Sequence, residues 1–176
     1  MSCSVGKSYG TGFASLNAGT AATTSIVELV GSATKKIRLL LVSVGGIEAT
    51  ALATNDLRLV KQSTASTGGT KTSPTPTPFD SEFPAATAVL NGYTVAPVQG
   101  TIVGIIAVAK LSLVLATTIT APPILFDFRG LPASQRPTLH TAAECLTVDL
   151  AGATPANAPS LDIYFWWTEQ PLNSAN

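Results

Sequence analysis

Hydrolysis by a nucleophile–histidine–carboxylate relay needs an imidazole held between two partners, and this chain has one histidine, His140. Its neighbours Leu139 and Thr141 form no catalytic pattern. A lone histidine in a strand-like run reads as structural or solvent-facing. Zinc takes three or four His, Cys or carboxylate ligands, and one histidine with the distant Cys3 and Cys145 cannot build such a site from nitrogen and sulfur alone. Glu144 with Asp149, and Asp127 with Asp162, could approach across strands as a glycosidase pair does. Exposed strand carboxylates are the simpler reading. Val5-Gly6-Lys7-Ser8 has the end of a phosphate-binding loop, but Met1 stands where the motif needs its first glycine. Gly68-Gly69 is followed by no helix pattern. No catalytic, cofactor-binding or metal-ligating residue is assigned, and neither a cofactor nor an enzymatic activity is expected. A hydrolase using Asp127 or Glu144 is the weaker rival.

Aromatic side chains are the other candidates, and the end of the chain must position them. Leu161-Asp162-Ile163-Tyr164-Phe165-Trp166-Trp167-Thr168-Glu169 alternates with period two. Alternate side chains of a strand point to opposite faces. Leu161, Ile163, Phe165 and Trp167 therefore share a core face, and Asp162, Tyr164, Trp166 and Thr168 share the other. Tyr164 and Trp166 are thus either covered by a second layer of the domain or part of an interface, where aromatics concentrate binding energy. Phe79 and Phe83, at the far end of a long loop, complete the candidate interface with Tyr164 and Trp166. Leu146–Leu150 alternates as well, and the small residues and prolines of 151–159 predict a β-arch or loose hairpin between the two runs.

The composition supports a β-rich assembly protein. Apolar residues make up 45% of the chain, which is ample for one core, while charged residues reach only 11%, well below about 25% in an average soluble domain. Ten basic and ten acidic residues cancel. A nucleic-acid binder carries a basic patch or arm; here only Lys35, Lys36 and Arg38 lie close together, as at a solvated strand end. Neutrality leaves little repulsion between copies. Cys3 and Cys145 either form one bridge or remain two reduced, half-buried thiols, the second being favoured in a cytoplasm. Residues 1–7 lack the apolar segment of a secretory signal. The apolar stretch from Ile102 to Ala116 is interrupted and too short to span a bilayer as a helix. Neither nucleic acid nor a membrane is expected as a partner.

Along the chain, residues 1–23 predict an extended N-terminal arm with one short strand near 4–9. Strands follow at 25–30, 36–44, 56–63, 86–95, 101–115, 124–128, 138–141, 144–150 and 161–169. Gly45-Gly46 is expected to break the second of these, and the 101–115 run is either one strand or two turned near Ala109-Lys110. Residues 64–84, rich in Thr, Gly and Pro, predict a long extended loop within one domain. Short strands separated by Gly/Pro turns indicate an all-β, jelly-roll-like β-sandwich spanning residues 24–176 behind the arm.

Three blocks resemble a family of uncharacterised virion proteins of tailed bacteriophages and their prophages. One runs from Asp56 to Thr70 and continues at Asp80-Ser81 and 85–88. The next is Ile124-Leu125-Phe126-Asp127-Phe128-Arg129-Gly130 with 135–139. The last is Glu144–Gly152 with Leu161-Asp162-Ile163 and Trp167-Thr168-Glu169. The resemblance covers about residues 36–169; the arm lies outside it, and Cys145 and Trp166 depart from its pattern. It implies a non-enzymatic structural domain of the virion, made in the host cytoplasm and cementing the capsid surface through the major capsid protein. A receptor- or glycan-binding domain of a tail or neck fibre is the alternative. A homotrimer is expected, because the arm and the 64–84 loop fold poorly on themselves. Ordering them costs about 1–2 kcal/mol per residue, which contacts to identical copies would offset. The number three comes from the resemblance alone, since cement proteins often sit at local three-fold positions.

Overall fold

The computed structural model describes residues 6–17, 24–48, 53–115, 122–152 and 159–173. Twelve strands account for nearly all regular structure there: β1 (Lys7–Asn17), β2 (Val27–Val30), β3 (Lys35–Glu48), β4 (Ala53–Gln62), β5 (Thr70–Thr72), β6 (Thr77–Pro78), β7 (Val89–Val95), β8 (Ile102–Leu115), β9 (Ile124–Asp127), β10 (Thr138–Leu139), β11 (Cys145–Asp149) and β12 (Ser160–Pro171). The described residues contain no α-helix, only one 3₁₀ turn at Ala133–Gln135. The strands form one curled mixed sheet in the order β5-β7-β2-β11-β4-β8-β3-β12-β1-β6, with β9 and β10 both on β3. The sole parallel ladder among them is a short one, Ile47 beside Val114 and Glu48 beside Leu115. At that join the sheet turns: β3 continues with β12, β9 and β10, while β8 follows β4.

The curl encloses a single core. Leu161, Ile163, Phe165 and Trp167 of β12 are all buried, as their alternation requires, and share a cluster with Leu57 and Leu59 of β4, Leu146 and Val148 of β11 and Leu29 of β2. Burying each such side chain stabilises the fold by about 1.5–3 kcal/mol. β11 and β12 pair with different neighbours, β2 and β4 against β1 and β3, so they do not form a hairpin with each other; residues 153–158 between them lie outside the described residues.

Two expectations change and one open alternative is decided. The arm is, over residues 7–17, an eleven-residue strand paired with β12 from Lys7 opposite Glu169 to Asn17 opposite Ser160, with a register shift between Phe13 and Leu16, and Tyr9 and Leu16 are buried. Small residues hid this, because Gly10 and Gly12 sit on the face where β12 presents its large side chains. Gly45-Gly46 does not end β3. A Cβ at Gly46 would collide with the Ser160 carbonyl, so glycine lets β3 pass close to β12. β8 is one strand through Ala109-Lys110.

The 64–84 segment finds its partners inside the chain. β5 pairs with β7 and β6 with β1, so the residues between them join the two ends of the sheet path. The ends also touch directly: the Phe13 ring of β1 fills the space a side chain at Gly92 of β7 would need, with a Cβ there only 2.5 Å from the ring. Buried Glu169 accepts hydrogen bonds from Thr87 N–H, Thr87 Oγ1, Ala88 N–H and Trp167 Nε1, and Tyr9 donates to Pro84 O, which fixes the far end of the segment. The contacts that offset the ordering entropy of β1 and this segment are thus intramolecular, which removes the reason for assigning them to a neighbouring subunit.

Candidate interaction surface

The outer face of β12 presents Tyr164 and Trp166 on two adjacent cross-strand rows. Tyr164 lies between Ser43 of β3 and Gly12 of β1, and Leu125 of β9 lies beyond Ser43. Trp166 lies between Leu41 and Gly10, with Asp127 beyond Leu41 and Thr77 beyond Gly10. A Cβ at Gly10 would meet the Tyr164 hydroxyl and the Phe79 ring, so a side chain there would push these two exposed aromatic groups aside. Partial burial raises the Tyr164 phenol above its usual pKa.

Phe79 is carried here by β6. Its N–H donates to Ser8 O, and its ring meets Trp166 at 5.2 Å between centroids, tilted by 38°. On the far side the Arg129 guanidinium stands 5.4 Å from the Trp166 ring, a cation–π geometry. Asp127 holds that guanidinium in a two-pronged grip, Nε to Oδ1 at 2.9 Å and Nη2 to Oδ2 at 2.7 Å. The same contacts, with the Arg129 backbone N–H, hold the Asp127 carboxyl down at about 2. Phe79 (52% exposed), Leu125 (55%) and Tyr164 (36%) leave an apolar, aromatic platform facing outward over β1, β12, β3 and β9, which pair side by side beneath it.

Phe83 is not part of this platform. It packs against Tyr9 at 6.4 Å, beneath the Lys7 ammonium, beside the core. His140 is exposed, and its N–H donates to Glu144 at 2.6 Å. The carboxylates considered for acid–base work do not form pairs with each other. Asp127 binds Arg129, Asp149 binds Arg58 at 2.7 Å, Glu144 binds Lys61 at 3.1 Å, and Asp162 accepts the Ser15 N–H at 2.7 Å. Cys145 is a free thiol, fully buried rather than half-buried; Cys3 lies outside the described residues. The thiol of Cys145 contacts Glu28, itself buried and accepting from Ser66 N–H and Tyr93 O–H. Burial, then the hydrogen bond and charge of Glu28, push the Cys145 thiol far above its usual range.

A second exposed apolar element, the first half of β8, carries no signal of its exposure in the sequence. Ile102, Val103, Ile105 and Val108 are 45–68% exposed. Two register shifts against β4 set this pattern: Val108 opposes Arg58, Ile105 opposes Val60 and Ile102 opposes Gln62, three residues apart, while Ile106 and Val103 are the extra residues left without a partner on β4. A period-two reading cannot see such bulges. Arg129 was also missed; its only sequence signal is its position two residues after Asp127 at a strand end.

Family models, curated proteins and solved structures were all compared with this chain, and none of them matches it.

Proposed function

We propose that this chain is a non-enzymatic structural protein of a tailed-bacteriophage virion, a jelly-roll-like domain that decorates or cements the capsid by binding the major capsid protein. The observation that carries the reading is the Phe79–Trp166–Tyr164 platform. An outward aromatic cluster braced by an Arg–Asp pair has the composition of a protein-binding hot spot, where Trp, Tyr and Arg dominate. The rigid sheet beneath it limits the entropy lost on docking. Balanced charge and the resemblance of residues 36–169 to virion proteins point the same way. Self-association into a homotrimer is assigned to this platform, since β1 and the 64–84 segment are satisfied within the chain.

The test is binding of the purified protein to capsids that lack it, followed by cryo-electron microscopy. Density on the outer capsid surface, with the Trp166 face toward the major capsid protein, is expected. Trp166→Ala should weaken capsid binding by about 2 kcal/mol, roughly thirtyfold. Density confined to the tail or neck, or undiminished binding by the variant, would overturn the capsid reading.

One feature favours a glycan-binding tail or neck domain instead. A cleft of about 370 Å³ beside Tyr164 sets Ser43 and Asp162 next to the Tyr164 and Phe13 rings. A glycan array showing binding that Trp166→Ala and Tyr164→Ala abolish would decide for this alternative.

A further inference from the structure

A different part of the molecule points to a second partner. β10 and the turn before it cross from β3 toward the β4–β8 pair and leave a cleft of about 430 Å³. Arg38, Lys61, Arg136 and His140 line it. Glu144 is the carboxylate that engages this cluster, through Lys61 at 3.1 Å and the His140 N–H. Arg38, Lys61 and Arg136 thus place three cationic side chains on the cleft wall against this one carboxylate. Arg136 is held by the Arg129 and Leu131 carbonyls, and Lys61 also donates to Thr138 O, so both cations are fixed at the cleft. Burial first, then the nearby Arg136 charge, lowers the Arg38 pKa, as expected for two guanidinium groups sharing one wall. Arg136 Nε and Nη2 are engaged by the Leu131 and Arg129 carbonyls and Arg38 Nη1 donates to Gln170 Oε1, so a carboxylate entering the cleft would be met by the outer guanidinium N–H of Arg136 and by the positive charge of the wall.

The rim of the cleft is β8. Ile106 lines the cleft, and Gly104 stands in register with Lys61. Among the described residues β8 pairs with β4 along Ile102–Leu113, while its other edge is paired only at Val114 and Leu115. The edge beside the cleft therefore presents a row of backbone groups available for pairing, flanked by the exposed Ile102, Val103, Ile105 and Val108. A strand added there would lie about 4.8 Å from β8, within reach of the cationic wall for a glutamate side chain.

We propose that the β8 edge and the adjoining cationic cleft form a docking groove for an extended peptide segment of a partner protein, apolar in alternation and carrying one acidic side chain. The strand supplies backbone hydrogen bonds and affinity, and the cleft reads the carboxylate, dividing affinity and specificity as in other cases of strand addition. The groove is separate from the aromatic platform, and the inference does not depend on the capsid reading.

The test uses the full chain and a fluorescein-labelled, extended Val/Thr peptide with a central glutamate, compared with the same peptide carrying glutamine or lysine there. The glutamate peptide should bind at least about tenfold more tightly than the glutamine form, the value of one charge-assisted hydrogen bond. It should protect the amides of residues 102–110 from hydrogen exchange. Arg136→Ala should reduce glutamate binding to the glutamine level, and Val108→Lys, at a 68% exposed position, should weaken all three peptides. Three results would overturn the proposal: equal binding of glutamate and glutamine peptides; inorganic phosphate binding at the cleft while no peptide protects β8; and protection of 102–110 by the chain's own dimerisation without peptide, which would make the occupant a second copy.

Discussion

Asp127 shows how one side chain organises a surface. It accepts from the Arg129 guanidinium and backbone together, and the guanidinium it holds lies over Trp166. Its pKa, near 2 in the fold against about 3.9 unperturbed, is depressed. Its contribution to stability is therefore present above the unfolded value and lost as pH falls through the folded one. We expect the Asp127 carboxyl carbon to titrate near pH 2 by NMR, and Arg129→Ala to return its midpoint to about 4. A midpoint that stays low in the variant would mean another group holds the carboxylate. At the opposite end of the scale, Cys145 is walled in. Its raised pKa reflects burial and Glu28, and only the thiolate reacts. In a Cys3→Ser background, native protein should remain unlabelled by a thiol reagent at neutral pH and react fully once unfolded. Glu28→Ala should strand the buried Ser66 N–H and Tyr93 O–H, with a loss of about 2–5 kcal/mol in urea unfolding.

Among the elements, the junction between the two ends of the sheet is the most sensitive. β1 reaches β7 by placing the Phe13 ring where Gly92 has no side chain. Gly92→Ala adds one carbon to a filled space, and such overpacking costs about 1–3 kcal/mol. The midpoint of denaturant unfolding should fall accordingly, and Phe13→Leu should recover part of it by making room. Independent, additive losses in the double variant would show that the two positions do not meet. The prolines of the 64–84 segment were readable as breakers, yet they form a strap whose short strands β5 and β6 occupy opposite ends of the sheet path. Its pairing within the chain also predicts that this segment resists limited proteolysis in a dilute monomer.

For the whole molecule, the distribution of exposed apolar surface bears on assembly. The aromatic platform and the β8 edge are separate elements, so one can mediate self-association while the other remains open. Under the trimer reading, sedimentation at micromolar concentration should show a trimer that Trp166→Ala with Phe79→Ala dissociates and Val108→Lys leaves intact. The reverse pattern would transfer the self-contact to β8.

The alternation of 161–169 fixes which side chains of β12 face inward, because a pleat has only two sides, and Leu161, Ile163, Phe165 and Trp167 are all buried. All-β character was equally legible from the short apolar runs and their breakers. Three things were not. β1 lacks a strong pattern because its glycines match large residues of β12, information held by the partner strand. The exposed face of β8 depends on two bulges whose positions are set by pairing with β4. The cationic cleft assembles Arg38, Lys61 and Arg136 from segments far apart in the chain. Local sequence determines which way each side chain of a regular strand points. Only the tertiary pairing decides which strand lies beside it, and therefore which residues meet, which edges stay open and where charge accumulates.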